Sequence, residues 1–309
     1  MYSSFLSIFN GAVLKVQAGG FRMSFAVFAD GTANLPGSCL EGITLLPIDY
    51  TIDDQPYTYD GDIEHFDIHT YYEQLRKGVS VKTTLLNTGL FISVFEPLLK
   101  EGTDIIYIAM SSGISGTYNA AVNAAEQLLE EYRDRIVHIV DSHGCGFGNG
   151  LLAVKAAELS RQGIPAAKAA KILDDMVPHC CQYFTVDDLN FLKRTGRVSK
   201  ATAAIGTTLN IKPILYGDHT GHIVSCANCH GRKKAISKLA GKYHDKRVEE
   251  PGQTVYISHG DCLEDALRLQ KLILAETPDA NVIVCPHEPF SGAHVGPGML
   301  GLFFLGKER

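Results

Sequence analysis

The chain has 309 residues, of which 45% are hydrophobic and 20% are charged, a composition typical of a globular protein with a substantial core. Its 28 lysines and arginines against 34 aspartates and glutamates give a net charge of −6, which argues against a surface devoted to nucleic acid or anionic membrane. No apolar run approaches the ~18 residues of a membrane span, so we expect no stable membrane insertion.

The eight cysteines stand at irregular spacing in a chain too long to depend on disulfides. This pattern indicates the reducing cytoplasm, with most cysteines in the core. Residues 1–22 have a partly apolar middle, but no basic segment precedes it, and Asn10 and Gly11 interrupt it. We therefore interpret residues 1–22 as a leader or an alternative start before Met23, in preference to a signal peptide.

The first half of the chain alternates between helix and strand patterns. A helix is expected at 88–100, and the apolar runs 104–110 and 135–140 are typical of strands covered on both faces of a parallel sheet. Apolar residues recur at helical spacing between those two runs. Further helices are predicted at 148–161 and from Pro165, which fits the first helical position.

Strand patterns predominate after about residue 182. The predicted strands are YFTVDDL (183–189), IKPILYG (211–217), GHIVSCA (221–227), TVYISHG (254–260) and NVIVCP (281–286). GDHTGH (217–222) is typical of the turn between the second and third of them. An amphipathic helix is predicted at 262–276, and the Gly-rich segment 291–306 is expected to end in an apolar strand.

These elements predict a two-domain protein of the α/β class. Residues 23–180 are expected to form an α/β domain with a parallel sheet. Residues 181–309 are expected to form an α+β domain with a mostly antiparallel sheet.

Small and hydroxyl residues crowd the predicted strand-to-helix junction at 111–117, SSGISGT. Open α/β sheets bind ligands at this edge, and the free amides of a first helical turn attract an anion. A side chain at Gly113 or Gly116 is expected to obstruct that anion. A Ser or Thr N-cap followed by a glycine turn explains the same residues structurally, and both interpretations stay open.

A serine nucleophile at this junction would need a general base. GISGT lacks the last glycine of G-x-S-x-G, and the candidates His143, His259 and His294 stand in no recognisable triad context. A serine hydrolase or acyltransferase that uses Ser112 or Ser115 with His294 is therefore the less favoured alternative.

Six segments resemble, in order, the motifs of the DegV family. They are FADGTANLP (28–36), KTT (82–84), SSGISGTYNAA (111–121), VDDLNFLKRTGRVS (186–199), LNIKPIL (209–215) and HVGPGMLGLFF (294–304). The resemblance covers nearly all of the chain after Met23. It implies that one long-chain fatty acid, palmitate- or oleate-like, lies in a tunnel between the two domains. The first domain would supply the carboxylate-binding loops, the second would cover the acyl chain, and the Gly-rich C-terminal segment would return to the site.

The resemblance assigns the fatty acid carboxylate to Thr83, Ser115 and His294. The supporting positions are Thr84, Ser111, Ser112, Gly113, Gly116 and Gly296, and Arg197 is the candidate contact with a phosphate group or a partner. The chain departs from the family pattern at Thr84, Leu85 and Leu86, where Ser-Gln-Pro is usual, and also at Gly31 and Val295. The first departure is expected to change the loop around Thr83.

In bacteria such proteins are the acyl-carrying subunit of a fatty acid kinase. We therefore predict a cytoplasmic lipid-binding protein that presents its acyl carboxylate to a separate ATP-binding kinase subunit. Hydroxyl groups can hold a carboxylate without a buried Arg or Lys and leave one oxygen able to attack a phosphoryl donor. We expect no catalysis by the chain alone and no cofactor, because the sequence has no Walker A loop or kinase signature.

Three further patterns are expected to be structural. CANCH (226–230) matches the c-type haem motif but lacks an export signal, and GCGFGNG (144–150) lacks the third glycine of a dinucleotide fingerprint. His65 and His69 flank Asp67 on a predicted helix, but two ligands without a third are a weak metal pattern. We predict a solvated helix face for this pair, and no metal site.

Two basic runs are interpreted as exposed amphipathic faces. The runs are Lys193, Arg194, Arg197 and Lys200, and then Arg232, Lys233, Lys234 and Lys238. If they have a partner, the kinase subunit with its nucleotide phosphates is favoured over nucleic acid.

Overall fold

The structure is a computed structural model that describes residues 6–9, 12–15, 23–199, 202 and 210–309. Most of the proposed leader, Lys200 of the first basic run and Leu209 of the LNIKPIL motif lie outside the described residues. Within the part of the chain that is described, no helix combines the length and the apolar character needed to cross a bilayer.

The helices and strands follow one another in two groups. The first group is β1 (Leu6–Phe9), β2 (Ala12–Lys15), β3 (Ala26–Asp30), β4 (Ile43–Leu46), β5 (Ile48–Ile52), β6 (Gln55–Tyr59), α1 (Ile68–Arg76), β7 (Val81–Thr84), α2 (Thr88–Lys100), β8 (Ile105–Ala109), α3 (Thr117–Glu131), β9 (Val137–Asp141), α4 (Phe147–Arg161) and α5 (Ala166–Met176). The second group is β10 (Cys180–Thr185), α6 (Asn190–Arg194), β11 (Ile211–Gly217), β12 (Ile223–His230), α7 (Arg232–Lys246), β13 (Thr254–His259), α8 (Leu263–Glu276), β14 (Asn281–Pro286), α9 (Pro289–Val295) and β15 (Leu300–Leu305).

The first sheet is parallel, with strand order β4-β3-β8-β9. Its strand β8 is buried along its whole length, because successive side chains enter different cores. Ile105 and Tyr107 pack on the side of α2 and α3, whereas Ile106 and Ile108 pack on the side of α4 and α5. The continuous apolar run predicted this two-faced burial correctly.

A three-stranded antiparallel sheet, ordered β6-β5-β7, was not predicted from the sequence. Its edge strand β7 carries Thr83, which pairs with Tyr50 of β5. The resemblance placed Thr83 in a loop, so its position in a strand is a correction. Exposure alternates along β7, so that Thr83 is half-buried and Thr84 is exposed.

The second group forms a six-stranded sheet with order β12-β11-β10-β15-β13-β14. All of its pairs are antiparallel except β13 with β14, and α7 and α8 share one core with it. The predicted combination of a parallel sheet and a mostly antiparallel sheet is therefore confirmed. The division into two domains at about residue 180 stays a prediction.

The structure corrects several predicted boundaries. The strand predicted at 183–189 is β10, which ends at Thr185, and the strand predicted at 221–227 extends to His230. The short helix α9, which the sequence did not predict, begins at Pro289 and extends into the Gly-rich segment as far as Val295. The backbone amides of Phe290 and Ser291 donate to the Glu288 carboxylate, which caps this helix.

The predicted helix that joins His65 and His69 is also wrong. Helix α1 begins only at Ile68, because Asp67 accepts from the amide of Thr70 and caps its start. The His65 ring lies 2.6 Å from Asp62, whereas the His69 ring lies 3.3 Å from Asp261. The two histidines therefore share no helix face.

Candidate functional site

A cavity lies where the carboxyl ends of the parallel strands meet the six-stranded sheet. It encloses about 950 Å³ of empty space, its opening to solvent included. Its apolar lining comes from both groups of elements and comprises Leu85, Met110, Ile114, Phe184, Leu192, Ile223, Phe290, Val295, Met299 and Phe303. Its polar and glycine lining comprises Thr83, Ser115, Gly116, His143, Gly144, Cys145, Gln182, Arg197, Gly217, Gly221, His287, Ser291 and His294.

Thr83 and His294 form a polar pair on the cavity wall. The Thr83 Oγ1 and His294 Nε2 atoms lie 3.0 Å apart, although the residues are 211 positions apart in the chain. Burial, reinforced by the charges of Arg197 and Arg194, lowers the pKa of His294 to about 4. The imidazole is therefore neutral at neutral pH. Its Nδ1 atom is buried and has no hydrogen-bond partner among the described residues.

Ser115 lies on the same cavity wall, at the start of α3. Its Oγ donates to Thr117 Oγ1 over 3.1 Å and accepts from the Thr117 amide over 3.2 Å. The predicted Ser or Thr N-cap is therefore wrong, because the N-cap residue is Gly116, which has no side chain to cap the helix. Ser115 supports the helix start from the preceding position while it lines the cavity.

The geometry gives the serine hydrolase alternative no support. The hydrogen bonds of Ser115 in the described structure go to Thr117, and His294 pairs with Thr83. Ser112 is exposed and lies outside the cavity lining, with its amide bound to Asp141. The described structure therefore shows neither serine bonded to His294 as a general base.

Gly113 serves a different purpose from the one predicted. A Cβ atom there would lie 2.7 Å from the Thr220 carbonyl oxygen and the Gly221 carbonyl carbon. The buried Ser111 hydroxyl donates to the Gly221 carbonyl oxygen over 2.9 Å. Gly113 and Ser111 therefore hold the 111–117 loop against the hairpin between β11 and β12, and neither lines the cavity.

The remaining supporting positions differ in their contact with the cavity. Gly116 lines it, and a Cβ there would lie 3.3 Å from Leu85 Cδ2. Gly296 ends α9 with φ +77° and packs against the Phe191 ring, outside the lining. Thr84 is exposed and does not line the cavity, whereas Arg197 does.

Gln182 is a cavity residue that the sequence analysis missed. Its side chain donates to the His143 carbonyl oxygen over 2.7 Å and accepts from the Cys145 amide over 3.3 Å. A Cβ atom at Gly144 or Gly148 would lie within 3.0 Å of its amide group. Gln182 thus fixes the loop after β9 to the six-stranded sheet.

Arg309 binds the same loop. Its guanidinium donates to the carbonyl oxygens of Ser142 and His143 over 2.6 and 2.8 Å. His143 itself has a left-handed backbone, with φ +48°. No local pattern in the sequence indicates these contacts, because Arg309 and His143 are 166 positions apart.

A second polar group on the cavity wall precedes and begins α9. The His287 Nε2 and Ser291 Oγ atoms lie 2.9 Å apart, and His287 Nδ1 lies 3.1 Å from Ser258 Oγ. The Ser291 hydroxyl also donates to Glu288, whose amide donates to Asn34 Oδ1 over 2.8 Å. The polar sequence HEPFS, directly after a predicted apolar strand, is the signal that could have indicated this group.

Burial changes the protonation of this second group. It lowers the pKa of His287 to about 3, with a smaller contribution from His259, so His287 is neutral. It raises the pKa of Glu288 to about 7, although hydrogen bonds from Ser291 and Phe290 oppose the shift.

The CANCH cysteines lie on the edge strand β12. Cys226 is exposed and Cys229 is half-buried, since residues three apart on a strand face opposite sides of the sheet. They share no common ligand position. Among the residues with described placement, no group of three or more His, Cys, Asp or Glu side chains could hold a metal ion.

Comparisons with known proteins agree on one family. A family model described as "Uncharacterised protein, DegV family" matches residues 24–307. A DegV domain-containing protein of Clostridium perfringens is 36% identical over 287 residues, which cover 92% of this chain and 98% of that protein. One of Lactococcus lactis is 32% identical over 292 residues, covering 93% and 99%.

Solved structures are similar over the same length. DegV of Bacillus subtilis, described as a fatty acid binding protein, has a TM-score of 0.76 at 29% identity and covers 92% of this chain and 100% of its own. A DegV lipid binding protein of Thermotoga maritima has a TM-score of 0.77 at 25% identity, covering 93% and 100%. A DegV family protein of Thermus thermophilus has a TM-score of 0.80 at 24% identity, covering 92% and 100%, and supports the fold.

Proposed function

The chain belongs to the DegV family, and we propose that it binds one long-chain fatty acid in the cavity between its two domains. The observation that carries the proposal is the cavity itself, which has a mostly apolar wall and a small polar cluster. Ligand sites commonly combine apolar walls with a few precisely placed polar groups. The fatty acid and lipid binding named for the Bacillus and Thermotoga proteins supports the same ligand class.

Thr83, Ser115 and His294 are proposed to hold the carboxylate. All three line the cavity, and His294 has an Nδ1 atom with no partner in the described structure. The Thr83–His294 pair has one donor left for the carboxylate, and the Ser115 hydroxyl can turn from Thr117 to supply a second, without a tight ion pair. Such a site orients the head group and leaves one carboxylate oxygen free to act as a nucleophile.

The acyl chain is proposed to supply most of the affinity. Each buried methylene contributes ~0.8 kcal/mol, so about ten of them contribute ~8 kcal/mol before ordering costs. A hydrogen bond to a charged group contributes only ~1.5–3 kcal/mol. The polar cluster therefore decides where the carboxylate points, and the apolar wall decides how tightly the ligand binds.

The finer proposal is that the chain is a cytoplasmic, non-catalytic subunit that presents the carboxylate to an ATP-binding fatty acid kinase. The bound carboxylate would lie beside the exposed Leu85 and the half-buried Arg197, both on the cavity lining. Arg197 would then face the transferred phosphoryl group. The sequence has no Walker A loop of its own, which agrees with a separate source of ATP.

Mass spectrometry of an organic extract from the purified full chain tests the ligand. We expect about one fatty acid per chain, given the apolar area available. Absence of lipid from the extract, together with no binding of added palmitate or oleate, would refute fatty acid binding.

A reconstituted reaction tests the presentation step. The palmitate-loaded chain is incubated with ATP and a bacterial fatty acid kinase subunit, and acyl phosphate is trapped with hydroxylamine. We expect product only when both proteins are present. An activated acyl ester given to the chain alone checks the hydrolase alternative, which requires turnover and a covalent acyl-serine.

A further inference from the structure

The second polar group of the cavity, formed by His287 and Ser291, has no role in holding the carboxylate as proposed. Both residues line the cavity, and both are almost fully buried, with exposed fractions of 2% and 6%. The proposed head-group site uses Thr83, Ser115 and His294, so these two side chains face the ligand elsewhere.

The Ser291 hydroxyl has room for one more hydrogen bond. The single Ser291 proton is donated to Glu288. Because His287 is neutral, it carries one proton; we assign this proton to Nε2, which then donates to Ser291 Oγ, while Nδ1 accepts from the Ser258 hydroxyl. The Ser291 oxygen therefore accepts one hydrogen bond and has a second acceptor position available.

The Ser291 hydroxyl has a weak donor beside it. The Cys145 thiol lies beside the Ser291 hydroxyl and also lines the cavity. Burial raises the pKa of Cys145, so it remains a thiol, which is a poor hydrogen-bond donor. A ligand hydroxyl would replace it with a stronger donor.

The spacing on α9 sets where such a hydroxyl would be on the ligand. Ser291 and His294 are three residues apart on one helix and both line the cavity. Side chains at this spacing have Cβ atoms about 5–6 Å apart. An extended chain covers about 3.8 Å in three bonds, so a carboxylate oxygen and a hydroxyl on the third carbon, four bonds apart, span about 5 Å.

We infer that Ser291, positioned by His287, is a specificity residue that accepts a hydrogen bond from a hydroxyl near the head group, so that the cavity takes 3-hydroxy fatty acids as well as unsubstituted ones. This inference rests on the proposed fatty acid binding. A purely apolar wall would reject such a ligand, because its hydroxyl would be buried without a partner.

Binding of palmitate and 3-hydroxypalmitate to the delipidated full chain tests the inference. We expect the two dissociation constants of the native protein to agree within about threefold, since the hydroxyl regains a hydrogen bond in the cavity. In Ser291→Ala the dissociation constant of 3-hydroxypalmitate divided by that of palmitate should rise about tenfold. Palmitate binding itself should stay within about threefold of native.

Ser38→Ala is the matched control, because Ser38 is an exposed serine outside the cavity lining. Its ratio should stay native, and an equal rise in both variants would overturn the assignment to Ser291. If Ser291→Ala binds neither acid, Ser291→Cys keeps the shape and replaces the acceptor with a weaker one. A native protein that binds palmitate but rejects the 3-hydroxy acid by tenfold or more would overturn this inference alone. Failure to bind either acid would overturn the proposed function as well.

Discussion

Two regions of the cavity wall differ in how fully their polar groups are bonded. At the junction between the sheets, Gln182 and Arg309 make several hydrogen bonds to one loop, and Gly113 touches backbone directly. In the head-group cluster, Thr83 and His294 bond to each other and His294 Nδ1 has no partner in the described structure. The comparison indicates that the junction maintains the cavity's shape, whereas the cluster retains bonding capacity for a ligand.

The largest expected effect is at the junction, in Gly113→Ala. The new Cβ would meet the backbone of Thr220 and Gly221, which cannot turn aside as a flexible side chain can. We expect the free energy of unfolding to fall by about 3 kcal/mol, as in severe overpacking. Urea denaturation measures it.

Gly241→Ala is the matched control for that substitution. Gly241 lies in α7 with open space around it, so alanine should stabilise the chain by up to about 1 kcal/mol. Equal stabilities for the two variants would contradict the close approach at Gly113.

Gln182→Leu should have the next largest effect. It leaves the Cys145 amide without its partner and removes one of the two donors to the His143 carbonyl, which costs about 2 kcal/mol of unfolding free energy. Gln162→Leu, at an exposed site after α4, should change it by less than about 0.5 kcal/mol. A Gln182 variant as stable as the Gln162 variant would show that other contacts hold the loop after β9.

Thr83→Ala should weaken palmitate binding and acyl phosphate formation while leaving stability nearly unchanged. We expect little change in unfolding free energy and palmitate binding weaker by about ten- to a hundredfold at most, since one bond to a charged group is lost. Acyl phosphate formation with the kinase should fall further, because a displaced carboxylate misses the phosphoryl group. Ser115→Ala and His294→Ala should behave in the same way.

Thr84→Ala controls for the strand, since Thr84 is exposed and lies outside the cavity lining. Thr84→Ala should leave palmitate binding and acyl phosphate formation with the kinase at native levels. Equal losses of binding and phosphorylation in Thr83→Ala would mean that Thr83 supplies affinity without orienting the carboxylate. Full kinase-coupled activity in Ser115→Ala would refute its assignment.

A smaller effect is expected from pH, through Glu288, which caps α9. Its pKa is about 7 in the folded chain and near 4.5 when unfolded, so the folded state retains its proton to higher pH. Its stabilisation is complete below the unfolded value and is lost as pH rises through 7, by about 1 kcal/mol between pH 6 and 8.

The contribution of His287 to stability depends on pH in the opposite direction. Its pKa falls from 6.5 to about 3 on folding, so its contribution is lost as pH falls below 6.5. Unfolding of the native chain and of Glu288→Gln at several pH values separates the two, because only the native chain should show the loss attributed to Glu288. Parallel pH profiles for both proteins would contradict it.

The smallest effect is expected for the double change Cys226→Ser and Cys229→Ser. Both residues lie on the edge strand, away from the cavity lining, so palmitate affinity should stay native and stability should change by less than about 0.5 kcal/mol. Stoichiometric zinc or haem in the native protein, measured by elemental analysis and absorption, would overturn the structural interpretation of CANCH.

Features that depend on neighbouring residues could be predicted from the sequence. The continuous apolar run at 104–110 identified β8, and the small residues after it identified the start of α3. Motif resemblance then selected Thr83, Ser115 and His294, all of which line the cavity.

Features that depend on distant partners could not be predicted. Gly113 is required by the hairpin at 217–222, about a hundred positions later, so a local argument assigned it to the ligand. Gln182 contacts a loop whose position is known only once the two sheets are docked. Strand β7 escaped detection because an edge strand with alternating exposure has few apolar residues.

The register of β12 affects how copies of this protein meet. Within the described residues β12 is an outer strand of its sheet, and its pairing skips Cys226, since Ile214 pairs with Ala227 and Leu215 with Ser225. Such a bulge interrupts the regular ladder of free amides and carbonyls that a foreign strand needs. Edge-to-edge addition of a second chain, the first step toward aggregation, is therefore disfavoured at this border.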